Sequence, residues 1–232
     1  MNDLTTKHIV LLGDSIFDND YYVNEGEAVS ELLQKSLEPE DKVTLLAIDG
    51  DVTCSVASQL RHFPDEASHV FVSCGGNDAL QMIHSLNSTV STVGEALEMM
   101  IPILDKFKLD YRAMLQAVLA KHQNITICTV YNQIPTSSAN NLEQFNDSYS
   151  EANTISERAL VALALFNEVI LQEAIAQYLP IIDLRLVCDE SQDYSSISPI
   201  EPSGAGGEKI VRVINKVVNN HDFSEHDSKV YF

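Results

Sequence analysis

A serine follows the first apolar run of the chain. Ser15 comes directly after residues 9–12, in the tripeptide Gly13-Asp14-Ser15. Glycine permits a tight turn after a strand, and a serine at the tip of that turn presents its hydroxyl to the crevice above the sheet. Ser15 is therefore a candidate nucleophile. A serine after a strand also acts commonly as a helix N-cap or a loop hydrogen bonder, so the tripeptide alone does not establish catalysis.

Two further residues follow other predicted strands and could donate hydrogen bonds. Gly50 follows the strand 43–48, and its lack of a side chain leaves its backbone N–H open to a ligand. Asn77 stands in a Gly-Gly-Asn-Asp motif after the strand 69–74. Together with the N–H of Ser15 they make three donors. Such donors stabilise the oxyanion of an acyl-transfer intermediate, each by about 3 kcal/mol.

At these residues the sequence resembles the SGNH hydrolases, also called the GDSL family of esterases and lipases. Gly13-Asp14-Ser15 is similar to the nucleophile block, Gly50 to the oxyanion glycine of the second block, and Asn77 to the oxyanion asparagine of the third. The similarity spans residues 9–210. It implies a flavodoxin-like α/β/α sandwich with a five-stranded, mostly parallel sheet. It also implies a serine hydrolase of the esterase, lipase or deacetylase type.

The fourth block departs from the family pattern. Family members carry an Asp-x-x-His before the last helix, commonly followed by Pro-Ser, and residues 198–203 here read Ser-Pro-Ile-Glu-Pro-Ser. Glu201 therefore takes the place of the base and Ser198 that of its aspartate. A histidine with a pKa near 6.5 exchanges the serine proton readily at neutral pH, whereas an unperturbed glutamate near 4.3 is a poor base.

Three interpretations of this position remain open. In the first, Glu201 is itself the general base, with a pKa raised by burial beside Ser15 and by nearby negative charge. In the second, another histidine, His84 or His62, supplies the base. In the third, catalysis is lost and the crevice binds an acyl or glycan ligand without hydrolysis.

Four more residues are expected to contact the substrate. Asp14 and Asp78 belong to the first and third motifs, and Tyr21 and Tyr22 are expected to line the entrance. Residues 18–20 begin like a calcium loop but lack its glycine, which favours a solvated turn. No His and Cys cluster has zinc spacing, so we predict neither a metal nor a cofactor. The loops 81–92 and 131–146 are expected to select the substrate, but their sequences contain no recognisable code.

The charge of the chain excludes several classes of partner. Of 232 residues, 34 are Asp or Glu and 14 are Lys or Arg, which gives a net charge of -20. Such a surface repels phosphate backbones and anionic lipids, so we predict no nucleic-acid partner. The resemblance to the SGNH hydrolases implies a small-molecule ester as substrate. The 45% of apolar residues is typical of a folded chain. The sequence does not indicate an oligomeric state.

Strands and helices alternate along the chain. Short, continuous apolar runs indicate strands buried on both faces, as in a parallel sheet, and the segments between them have helical periodicity. The predicted strands are residues 8–12, 43–48, 69–74, 125–131 and 181–184, and the predicted helices are residues 27–37, 53–62, 93–121 with a break near Pro102, 153–178 and 206–219.

The chain is predicted to form one domain over residues 1–220, followed by a polar tail at 221–232. No stretch approaches the roughly 20 uninterrupted apolar residues of a membrane span. The four cysteines lack Cys-x-x-Cys spacing, and two lie in apolar runs. Buried, reduced thiols and the lack of a signal-peptide pattern favour a cytoplasmic location.

Overall fold

The structure, a computed structural model, describes residues 6–132 and 148–232, without the side chains of residues 87 and 148–157. It contains a single parallel sheet with the strand order β2-β1-β3-β4-β5-β6. Its strands are β1 (His8–Gly13), β2 (Lys42–Leu45), β3 (His69–Ser73), β4 (Ile125–Cys128), β5 (Ile181–Ile182) and β6 (Val230–Tyr231). The predicted parallel sheet is confirmed.

The strand order reverses at β1: the chain adds β2 on one side of β1, and it adds β3 and the later strands on the other side. Strand β1 pairs with β2 on one side and with β3 on the other, and both pairings are parallel. In an open α/β sheet, ligands bind beyond the carboxyl ends of the strands at such a switch point. The segments that follow β1 and β3 therefore meet where a binding site is expected, and these segments carry Ser15 and Asn77.

The predicted number of strands is wrong, since the sheet has six strands rather than five. The sixth strand lies inside the segment 221–232, which the sequence pattern assigns to a polar tail. The backbone N–H groups of Ile181 and Asp183 donate to the carbonyls of Lys229 and Tyr231 at 2.9 and 3.0 Å. The Tyr231 side chain is buried. A strand of two residues among polar neighbours is too short to show the alternation of apolar and polar residues by which a strand is predicted.

Helices cover both faces of the sheet and complete three layers. The helices are α1 (Val29–Ser36), α2 (Val56–Gln59), α3 (Gly76–Gln81), α4 (Val93–Leu119), α5 (Ser148–Ala176), α6 (Leu184–Val187) and α7 (Gly204–Asn220). Along β1, Val10 and Leu12 belong to one hydrophobic core with helices α2, α4 and α5, and Ile9 and Leu11 belong to the other core with α1, α6 and α7. This two-sided burial explains the continuous apolar runs.

Two details of the helices differ from the prediction. Helix α4 continues through Pro102 rather than breaking there. Proline removes one backbone donor, but Pro102 lies on the exposed side of the helix, where water can satisfy the carbonyl that loses its partner. The short helices α3 and α6 were not predicted, because four to six residues are too few to show helical periodicity.

Helix α5 contains the most apolar stretch of the described residues. Residues Arg158–Ala176 are long and apolar enough to cross a membrane by length and composition, and 44% of that window is buried. Phe166, Ile170 and Ala174 on this helix pack in the core beside α4. The stretch is interrupted by Asn167 and Glu168, as the sequence analysis requires, and a core helix also has this composition.

Candidate active site

The chain turns sharply after β1 because of Gly13. This residue has φ 125°, and a Cβ atom built on it would lie 1.8 Å from the carbonyl oxygen of Ser73 on β3, so only glycine fits. The side-chain amide of Gln59 closes the turn, since it accepts from the Gly13 N–H at 2.9 Å and donates to the Gly13 carbonyl at 2.7 Å. The turn that follows places the Ser15 side chain in a pocket above the sheet.

The side chains of Ser15 and Glu201 both line this pocket, although the two residues are far apart in sequence. Burial raises the pKa of the Glu201 carboxyl to about 7, the hydrogen bond from the Ser15 side chain opposes this rise, and the negative charge of Asp49 adds to it. Oxygen Oε2 of Glu201 is buried without a hydrogen-bond partner among the described residues. The carboxyl can therefore exchange a proton near neutral pH.

Side chains from distant segments hold the carbonyl groups on either side of Glu201. The Tyr131 hydroxyl donates to the carbonyl of Ile200 at 2.8 Å, and the Asn19 amide donates to the carbonyl of Pro202 at 3.1 Å. Both donors are buried. The peptide that carries Glu201 is thus fixed to the loops after β4 and β1.

The backbone of Glu201 is also hydrogen bonded. Its carbonyl accepts from the N–H of Ser195 at 2.9 Å, and its N–H donates to the carbonyl of Ser198 at 3.1 Å. Ser198, which aligns with the aspartate of the family, therefore contacts Glu201 through backbone atoms. Helix α7 begins just beyond, where the Ser203 hydroxyl caps the N–H of Gly206 at 3.2 Å.

Asn77 begins the other side of the pocket, at the start of α3. Its side-chain amide donates to the carbonyl of Asp51 at 2.8 Å, which ties it to the loop after β2. Gly50 precedes Asp51, has φ 80° and is exposed, with open space where a Cβ would be. The two predicted donors are therefore in neighbouring positions, although Gly50 is not among the described residues that line the pocket.

Asp78 is not among the described residues that line the pocket, and it holds the same loop. Its Oδ2 accepts from both the N–H and the hydroxyl of Thr53 at 2.9 Å. Burial raises the pKa of Asp78, and the bonds from Thr53 oppose this rise. Asp78 therefore contacts the loop that carries Gly50. The sequence analysis expected it instead to contact a substrate in the pocket.

Asp14 lines the pocket beside Ser15. It is buried, and its Oδ1 accepts from the N–H of Ile16 at 3.2 Å. Burial raises the pKa of this carboxyl to about 8, and the negative charges of Glu201 and Asp78 add to the rise. Among the described lining residues there is no Lys or Arg to compensate the charge. Asp14 is therefore largely protonated at neutral pH.

The two tyrosines lie outside the pocket. Tyr21 is 76% exposed, and the Tyr22 hydroxyl donates to Oδ2 of Asp49 at 2.9 Å. This hydrogen bond raises the pKa of Tyr22 to about 12. Tyr22 therefore positions Asp49, whose charge acts on Glu201.

All seven histidines lie in the described part of the chain, and none of them lines the pocket. His62 and His84, the two candidates for an alternative base, are both exposed. Within the described residues, no group of three or more His, Cys, Asp or Glu side chains could hold a metal ion. The two histidine alternatives therefore lie away from Ser15, whereas Glu201 lines the same pocket as Ser15.

The remaining pocket wall is mostly apolar. Of its residues, only Met82, Ile83, Leu86 and Tyr131 lie in the loops 81–92 and 131–146 that the sequence analysis expected to select the substrate. The wall residues belong to loops and helix faces whose apolar side chains give no signal that separates a pocket from the core. They are Ile16, Gly76, Ala79, Leu80, Met82, Ile83, Leu86, Val130, Tyr131, Ala159, Ala162, Leu163 and Ile200. The predicted specificity loop 131–146 lies, from residue 133 onward, outside the described residues.

The profile of the GDSL-like lipase/acylhydrolase family matches residues 11–208. The chain belongs to this family. The match covers the segments that carry Ser15, Gly50, Asn77 and Glu201, so the predicted family is confirmed. No curated protein matches this GDSL-family chain significantly in sequence.

Solved structures share the fold of this GDSL-family chain at low sequence identity. A lipase/acylhydrolase from Enterococcus faecalis is 20% identical with a TM-score of 0.58, over 91% of this chain and 96% of that one. A phospholipase A1 from Streptomyces albidoflavus is 17% identical with a TM-score of 0.64, over 91% and 99%. An acetylxylan esterase from Geobacillus stearothermophilus is 15% identical with a TM-score of 0.57, over 96% and 98%.

Proposed function

We propose that this protein is a serine hydrolase that cleaves carboxylic esters, with Ser15 as nucleophile and Glu201 as general base. The observation that carries the proposal is the position of these two side chains in one pocket, where burial raises the pKa of Glu201 to about 7. A base acts best when its pKa lies close to the working pH. The altered environment thus compensates for the missing histidine.

In the first step, ionised Glu201 removes the proton of the Ser15 hydroxyl while the oxygen attacks the ester carbonyl carbon. A C–O bond forms, and the carbonyl π electrons move to the oxygen. The tetrahedral intermediate then expels the alcohol, which takes the proton from Glu201, and leaves an acyl group on Ser15. Water repeats the sequence on the acyl-enzyme: Glu201 takes one proton of the water, returns it to Ser15 and releases the acid.

The oxyanion of each intermediate accepts hydrogen bonds from the N–H of Ser15, the N–H of Gly50 and the side-chain amide of Asn77. One amide hydrogen of Asn77 is held by the Asp51 carbonyl, which leaves the other for the oxyanion. Because Asp78 and Thr53 fix the same loop, these donors need little reorganisation during the reaction. Such preorganisation is usually the largest contribution to catalysis of acyl transfer.

A carboxylate base needs no fixed tautomer, so the orienting aspartate of the family is dispensable here. The backbone bonds from Ser195 to Glu201 and from Glu201 to Ser198 orient the peptide. An acidic partner at position 198 would oppose ionisation of Glu201. The Asp-to-Ser and His-to-Glu differences from the family pattern therefore fit together.

The proposal is tested by hydrolysis of p-nitrophenyl butyrate by the wild type, Ser15→Ala and Glu201→Gln. Both variants should lose at least about a hundredfold in kcat/KM. The matched controls Ser224→Ala and Glu208→Gln lie on exposed positions and should behave like the wild type. Equal turnover in all five proteins would refute the proposed roles.

A fluorophosphonate probe separates an enzyme from a protein that only binds its ligand. The Ser15 oxygen displaces fluoride from phosphorus, and its proton goes to Glu201, so the wild type should become labelled at Ser15. Labelling that is unchanged in Ser15→Ala, or absent in the wild type, would favour the binding protein that the sequence leaves open.

The cytoplasmic location stays a prediction, since one similar structure is an extracellular lipase from Streptomyces rimosus.

A further inference from the structure

We propose that the ester substrates carry a long, unbranched acyl chain that lies in a second, apolar cavity between α4 and α5. The inference rests on the proposed ester hydrolysis at Ser15, and it names the acyl part of the substrate. The cavity is separate from the pocket of the candidate catalytic residues, but the two adjoin. We call it the α4–α5 groove, and its position follows from the described residues 82–103 and 158–165 that line it.

The space beside Ser15 is small. The pocket that contains Ser15 and Glu201 has a cavity volume of about 60 Å³. At roughly 10–15 Å³ for each water-sized group, this volume takes four to six such groups. A short acyl chain fits into it, whereas a longer chain must leave it. A longer acyl chain therefore needs a second space next to this pocket.

The α4–α5 groove begins at the wall of that pocket and is much larger, with a cavity volume of about 780 Å³. Met82, Leu86 and Ala162 line both cavities. A volume of this size is typical of a site for a small molecule. A chain attached to Ser15 can therefore pass these three side chains and continue between the two helices without a break in apolar contact.

The chemistry of the groove suits a hydrocarbon chain. Helix α4 contributes Val93 and Leu97, which are 78% and 60% exposed, and helix α5 contributes Val161, which is 71% exposed. Arg158 is the only charged side chain among the described lining residues. Apolar side chains that remain exposed along a groove mark a binding site, because their burial by a ligand is favourable.

Two other occupants are less consistent with the molecule. The net charge of -20 disfavours docking on an anionic membrane. A second copy of the chain would cover the exposed face of the helices but gives no reason for the groove to join the Ser15 pocket. The shared residues therefore favour the acyl chain, and the oligomeric state remains to be measured as an outcome of the test.

The first experiment compares p-nitrophenyl butyrate with p-nitrophenyl dodecanoate. Ala96 is half-buried on the groove wall of α4, so Ala96→Trp should fill the groove. Ala113→Trp is the matched control, because Ala113 is exposed on the same helix outside the groove. We expect kcat/KM for dodecanoate to exceed that for butyrate by about tenfold or more in the wild type and in Ala113→Trp. Ala96→Trp should lose this preference while its butyrate hydrolysis stays within about twofold.

The second experiment measures binding without turnover. Dodecanoate is titrated into Ser15→Ala by calorimetry, and then into the double variants that add Ala96→Trp or Ala113→Trp. We expect at least about tenfold weaker binding only where Trp fills the groove. Binding of this kind without hydrolysis of any ester would defeat the proposed function and leave the groove assignment intact.

Two results would overturn the inference. The first is hydrolysis of butyrate with no preference for dodecanoate, or with a preference that survives Ala96→Trp. This result would leave the proposed hydrolysis standing. The second is a dimer in sedimentation that Ala96→Trp dissociates and dodecanoate leaves unchanged, because the groove would then bind a second copy of the chain.

Discussion

The buried hydroxyl of Tyr131 donates a 2.8 Å hydrogen bond to the backbone carbonyl of Ile200, the residue before Glu201. Tyr131 follows the end of β4, so this bond links the sheet to the loop that carries the proposed base. Burial raises the pKa of Tyr131 well above its usual value, and the phenol therefore remains a donor at neutral pH. We expect Tyr131 to act as a positioning residue through the peptide of Glu201.

Replacement of Tyr131 by phenylalanine tests this link. Tyr131→Phe should lower kcat roughly tenfold with a smaller change in KM, because a displaced base weakens the transition state more than substrate binding. Steady-state kinetics with p-nitrophenyl butyrate measures both. Tyr231→Phe removes a phenol on the far edge of the sheet and should not affect either constant. Equal effects of the two substitutions would mean that the Tyr131 bond is only structural.

A second substitution tests the side-chain amide of Asn77 as an oxyanion donor. Asn77→Ala removes one oxyanion donor and should lower kcat by about a hundredfold to a thousandfold, with KM nearly unchanged. Asn124→Ala removes an amide that donates to the Ser68 carbonyl at 3.0 Å, near the opposite ends of the strands, and should leave kcat near the wild-type value. A rise in KM alone after Asn77→Ala would assign Asn77 to substrate binding rather than to the oxyanion.

The pH profile reports the state of Glu201. The base must be ionised, so kcat/KM should rise with pH through the folded pKa of about 7. Because the negative charge of Asp49 raises this pKa, Asp49→Asn should move the rising limb to lower pH. Asp65→Asn, at an exposed position, should not move it. If the rising limb stays at the same pH in Asp49→Asn, the limb does not report the ionisation of Glu201.

Glu201 also links stability to pH. Its pKa rises on folding from 4.5 to about 7, so the folded state favours the protonated form. The corresponding stability is present below pH 4.5 and is lost as pH rises through 7, to a total of up to about 3 kcal/mol.

Glu201→Gln should therefore be more stable than the wild type at pH 8, although it is inactive, and the difference should disappear at pH 4. Urea denaturation at both pH values measures this difference. Glu208→Gln, an exposed substitution, serves as the control. A wild type that is more stable than Glu201→Gln at pH 8 would contradict the raised pKa.

Much of the site was predictable because it follows strand ends. Ser15 and Asn77 stand directly after apolar runs, and parallel strands bring their carboxyl ends to one edge of the sheet. The motif order then identified the family, which the family profile confirms. Glu201 was predictable only through its alignment with the last helix, whose cap at Ser203 fixes the position.

Other features depend on contacts between distant segments that leave no local pattern. Asp78 accepts its hydrogen bonds from Thr53 and is not among the residues that line the pocket, in which the sequence analysis expected it. Leu97 and Val161 are apolar residues in helices, yet both are exposed along the α4–α5 groove. Hydrophobic periodicity identifies a face of a helix, but it does not say whether protein or ligand covers that face.

The short strand β6 protects the border of the sheet. If the chain were cut ahead of Lys229, the N–H groups of Ile181 and Asp183 would lose their acceptors, and β5 would become an open template for another molecule. Shortened versions should therefore aggregate by intermolecular strand pairing, even though the catalytic pocket lies at a distance from this border.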